Sequence, residues 1–81
     1  MKEFLTHDVY LASGLVLLLA IVPRYQVQNG RTVFVFPASD NLYRALNDFN
    51  AGAPLNAVEY SQVIKRLRGE MLSRRSLEGL R

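Results

Sequence analysis

Residues 24–36 read RYQVQNGRTVFVF, and this stretch decides the fold. Asn29-Gly30 is a preferred pair for a two-residue type I′ turn, because both residues tolerate positive φ. A two-residue loop pairs Gln28 with Arg31, Val27 with Thr32 and Tyr25 with Phe34. Side chains alternate along a strand, so Tyr25, Val27, Thr32, Phe34 and Phe36 share one face. Arg24, Gln26, Gln28, Arg31, Val33 and Val35 share the other. The aromatic face suits a cover of helices. The second face is polar except for its two valines. An isolated two-stranded hairpin is barely stable in water, so Val33 and Val35 call for a cover, and a second copy of the chain is the expected one.

Upstream, Val9–Val22 reads VYLASGLVLLLAIV and carries no charge. Thr6 is placed to act as N-cap of a first helix, and Asp8 in its first turn suits the positive end of the helix dipole. Pro23 disfavours helical geometry at Val22 and ends it. Fourteen helical residues span about 21 Å, against about 30 Å of hydrocarbon, so the segment reads as a buried core helix and not as a membrane span. The start MKEF is not net positive and no small-residue cleavage site follows, which argues against a signal peptide.

Downstream, Ser39 or Asp40 caps a second helix whose stripe is Leu42, Ala45, Leu46 and Phe49, closed by a left-handed Gly52. Asn56 caps a third helix. Glu59 stands at the capping-box position, and Leu55 and Tyr60 at the staple positions. The core stripe of that helix is Tyr60, Val63, Ile64, Leu67 and Met71. Gly69 interrupts it, either to allow a close crossing or to loosen the helix. The expected fold is therefore α+β in the order α-β-β-α-α: a two-stranded antiparallel hairpin packed against three helices, with a sheet that a second copy can complete. Residues 1–72 form the domain, and 73–81 read as a basic C-terminal tail.

The chain has 81 residues, 49% of them hydrophobic, no Cys, one His and a net charge of +3. One domain of this size buries only about 60% of its unfolded surface, so high apolar content without a disulfide favours self-association, a dimer first. Absent cysteines fit a reducing, cytoplasmic setting. No glycine-rich phosphate loop is present, and His7 is the only possible histidine base, at a helix-cap position. Asp8, Asp40 and Glu59 all fall in first turns, where capping accounts for them. A non-enzyme with no metal and no cofactor is expected.

The basic excess lies at the end. Residues 61–81 carry Lys65, Arg66, Arg68, Arg74, Arg75 and Arg81 against Glu70 and Glu78, a net +4. Lys65, Arg68 and Arg75 fall near one side of the third helix and are the candidate contacts for phosphate or a partner. Glu70 and Arg74 stand four apart and suit a surface ion pair. No exposed aromatic accompanies the basic side chains in this reading, which weakens a nucleic-acid role.

Thr6, Asp8, Tyr10, Leu11 and Ala12 form a T-x-D-x-Y-L-A pattern, and Phe34-Val35-Phe36 follows as an F-V-F strand. Over residues 5–72 this combination resembles a small family of uncharacterised domains from bacteria and their phages. The resemblance implies a phage or prophage origin and a cytoplasmic protein, and no activity. Members turn polar at the end of the first helix, whereas LVLLLAIVP stays apolar, which implies extra burial there. A looser likeness to ribbon-helix-helix repressors would make Arg31, Val33 and Val35 the DNA-reading side chains of a two-chain ribbon. The expected function is a non-catalytic accessory protein that self-associates and binds a host or phage protein. The alternative is a nucleic-acid-binding protein using the third helix.

Overall fold

The computed structural model describes the backbone of residues 2–79 and side chains through Arg74. Its elements are β1 (Glu3–Thr6), α1 (Val9–Leu19), β2 (Arg24–Gln28), β3 (Arg31–Pro37), α2 (Asp40–Asn50) and α3 (Ala57–Gly79). The hairpin forms with the expected register, Gln28 opposite Arg31 and Tyr25 opposite Phe34. Asn29 and Gly30 sit at φ 52° and 76°, the left-handed region that a type I′ turn requires at both positions.

The sheet has three strands, not two. β1 pairs antiparallel with β3, from Glu3 opposite Pro37 to Thr6 opposite Phe34, and the strand order is β1-β3-β2. The strand that completes the sheet is thus the chain's own N-terminal segment. This revises the start of the first helix. Thr6 is the last residue of β1, and its Oγ1 accepts from the Asp8 N–H at 3.1 Å. Asp8 is the N-cap, with Oδ1 accepting from Tyr10 N at 2.9 Å and Leu11 N at 3.2 Å. α1 stops at Leu19, short of Val22, because Ala20 turns left-handed at φ 55° and sends Ile21–Pro23 toward β2.

The other caps are those the residues call for. Ser39 Oγ accepts from Leu42 N, and Asn56 Oδ1 accepts from Glu59 N. Gly52 closes α2 at φ 84°. α3 runs on through Gly79, so the boundary expected at residue 72 does not coincide with a helix end.

The core lies on one side of the sheet. Phe34 and Phe36 meet Leu15, Leu42 and Leu67, one from each helix. The close helix crossing is at Gly14, not Gly69. A Cβ on Gly14 would overlap the Phe49 ring of α2, whereas one on Gly69 would meet open space. Among the described residues no helix is long and apolar enough to cross a membrane.

Candidate functional site

Two surfaces answer to the residues singled out in the sequence. The first is the face of the sheet that carries no helix. Val33 and Val35 are on it, outside the core formed with the helices, as alternation requires. They are nonetheless only 7% and 2% exposed. Within the chain this cover comes from neighbouring side chains of the sheet and not from a helix. β3 is the central strand, so Leu5 of β1 and Arg24 of β2 flank Val35, while Gln26 of β2 lies beside Val33 and the β1 pairing stops one residue short of it. Glu3 of β1 and Arg24 of β2 form an ion pair, and to do so they must reach across β3 between Val35 and Pro37. Around this clasp the face is open and mixed, with two exposed apolar side chains among Lys2, Glu3, Arg24 and Gln28. Val22 is 69% exposed and Leu5 42%. Two shallow depressions of about 260 Å³ each flank the valines. One is lined by Glu3, Val22, Arg24 and Val35, the other by Leu5, His7, Gln28 and Val33.

The second surface is α3. Its basic residues do not form one free stripe. Arg68 donates to the Tyr10 hydroxyl and lies 5.3 Å from the centre of that ring, so α1 holds it. Arg74 pairs with Glu70 at 3.1 Å, as the four-residue spacing implies, and stacks 4.4 Å over the Tyr25 ring of β2. Lys65 and Arg66 are exposed. The Arg75 side chain lies outside the described residues. Aromatic rings do accompany the basic side chains, contrary to the expectation from sequence. Tyr10 and Tyr25 come from other elements, so no spacing within α3 could reveal them.

Burial, then the nearby Glu70 charge, pushes the Tyr25 hydroxyl above its ordinary 10.0, while Arg74 and Arg66 pull it down. Burial, with Asp8 and Tyr10 nearby, pushes Tyr60 the same way. The Tyr60 hydroxyl donates to the Tyr10 carbonyl at 2.9 Å, tying the start of α3 to that of α1.

The ribbon-helix-helix likeness does not hold for the strand. β3 is paired with β2 along Arg31–Val35 and with β1 along Phe34–Pro37, which leaves too short an edge for the matching strand of a second chain. Among the described residues no group of three His, Cys, Asp or Glu side chains is placed to hold a metal. No family model matches the chain, and no curated protein or solved structure is significantly similar to it.

Proposed function

We propose that the chain is a non-catalytic accessory module, of the cytoplasmic phage or prophage type its motifs resemble, that works through the helix-free face of its sheet. It self-associates there as a dimer and engages a host or phage protein. The observation that carries this reading is the exposed apolar rim of that face, Val22 and Leu5, beside the clasped Val35. Glu3 and Arg24 at the same rim are paired with each other within the chain, which leaves the two apolar side chains for a self-complementary two-fold contact. The contact residues are therefore Leu5 and Val22, with Val33 and Val35 as the packed floor beneath them.

Light scattering tests this. The wild type should have twice the mass of one chain at micromolar concentration. Val22→Asp and Leu5→Lys, both at exposed positions, should return one-chain mass with little change in melting temperature. A one-chain mass for the wild type at about 100 μM, a concentration that captures even weak dimers, removes the reading.

The nucleic-acid alternative through Lys65, Arg68 and Arg75 gains a half-exposed aromatic in Tyr10, whose ring lies beside the Arg68 guanidinium. Tyr10 takes one of the donors of that guanidinium, and the others remain for a phosphate. The triple variant Lys65→Gln, Arg68→Gln, Arg75→Gln measures it. A salt-dependent oligonucleotide affinity that collapses in this variant would favour the alternative.

A further inference from the structure

β1 leaves the sheet at Thr6 opposite Phe34, short of the start of β3, and a notch remains at that edge. Gln28 and Arg31 flank the two-residue turn and exchange hydrogen bonds with each other. By alternation the backbone groups of Arg31, Val33 and Val35 then point to β2, and those of Thr32, Phe34 and Phe36 to β1. The Ala38 N–H bonded to the Lys2 carbonyl at 3.1 Å fits the same parity. The pairing with β1 stops at Thr6 opposite Phe34. The next position, Asp8, has turned into the cap of α1, its N–H bonded to Thr6 Oγ1 and its carbonyl to Ala12 N. Thr32 N–H and C=O are thus left facing the notch without a strand partner.

A cavity of about 230 Å³ occupies this place, lined by His7, Arg31, Thr32 and Met71. Thr32 is 1% exposed, and its Oγ1 is buried with no hydrogen-bond partner among the described residues. Buried polar groups in native proteins are nearly always bonded, so an unanswered hydroxyl and strand edge at one cavity point to something that belongs there. The neighbours set its charge. Arg31 brings a permanent cation and His7 an imidazole N–H. Met71 forms the remaining wall, and its unbranched side chain repacks at little cost to enlarge the space.

We propose that this notch binds a small protonated oxyanion, hydrogen phosphate being the chemistry that fits. Its oxygens accept from Arg31, His7, the Thr32 N–H and the Thr32 hydroxyl. Its own O–H donates to the Thr32 carbonyl, which faces the same notch. Sulfate has the same shape and charge at neutral pH but no O–H, so it leaves that carbonyl unanswered. The notch opens at the strand edge between the two faces and shares His7 with the depression beside Val33, so phosphate binding is measured at a concentration where the chain has one-chain mass.

Titration of the ¹⁵N-labelled chain with inorganic phosphate at constant ionic strength tests the proposal. The Thr32 and His7 amides should shift and saturate in the millimolar range, and sulfate should bind several-fold more weakly. Arg31→Gln, at an exposed position, and Thr32→Val, of the same shape, should each weaken phosphate about tenfold, the usual cost of a lost charge-assisted or buried hydrogen bond. A linear, unsaturated response, equal binding of sulfate, or unchanged affinity in Arg31→Gln would each overturn it.

Discussion

Gly14→Ala separates two effects of opposite sign at one atom. In an open helix the change would stabilise by about 1 kcal/mol, since Ala is the better helix former. Here the added methyl would overlap Cδ1 and Cε1 of Phe49, so the ring must move or α1 and α2 must separate. Overpacking a filled site costs about 1–3 kcal/mol. The net is a loss of about 1 kcal/mol, read as a fall in Tm of about 4–8 °C for a domain of this size. Phe49→Ala removes the obstacle. In that background Gly14→Ala should reverse sign and stabilise by about 1 kcal/mol. Thermal and urea melts of the four proteins in this cycle measure the coupling. A stabilising Gly14→Ala in the wild type, or an equal loss in both backgrounds, would refute the crossing.

Leu15→Asp should prevent folding, because Leu15 is fully buried and an unpaired carboxylate there costs more than a small domain can absorb. Leu18 is only partly buried, so Leu18→Asp should still give a folded chain by circular dichroism. Asp8→Ala removes the cap of α1 and should lower stability by about 1 kcal/mol in urea melts. Stability should also fall in alkali. The raised Tyr25 and Tyr60 contribute stability that is fully present below the ordinary tyrosine value of 10.0 and lost as pH rises through their folded values. Tyr25→Phe should flatten this alkaline fall in Tm; an unchanged slope would contradict it.

Local signals in the sequence were sufficient wherever one segment carried its own instructions. Asn29-Gly30 dictated the turn and, through alternation, the facing of every hairpin residue. Ser39, Asn56 and Gly52 marked helix ends because capping is a contact between near neighbours. β1 was illegible for the opposite reason. Four residues, EFLT, show too little alternation to stand out, and their partner is some thirty positions away on a strand that the Asn29-Gly30 turn already pairs with β2. With two strands Val33 and Val35 needed a cover, and with three they have one. Arg68 and Arg74 followed the same rule. Glu70–Arg74 was visible at helical spacing, but the rings of Tyr10 and Tyr25 that engage these arginines arrive from other elements. The cavity at Thr32 arises where β1 turns away, and so was as hidden as β1 itself.

β3 has two neighbours that reach it by very different routes. β2 arrives through a two-residue turn, a microsecond event, whereas β1 must close a loop that contains all of α1 and β2. The hairpin can therefore assemble early, while β1 docks only once α1 has brought the chain back. The same asymmetry governs opening. With four residues and partly exposed side chains, β1 is the segment whose amides should exchange first, well below the energy of global unfolding. When it departs, Phe34 and Phe36 present bare N–H and C=O groups, and the Glu3–Arg24 clasp over Val35 parts with it. An uncovered edge of that kind invites a foreign strand. Residues 3–6 thus serve as a guard on the sheet, and the rate at which they lift sets how often the chain is open to misassociation.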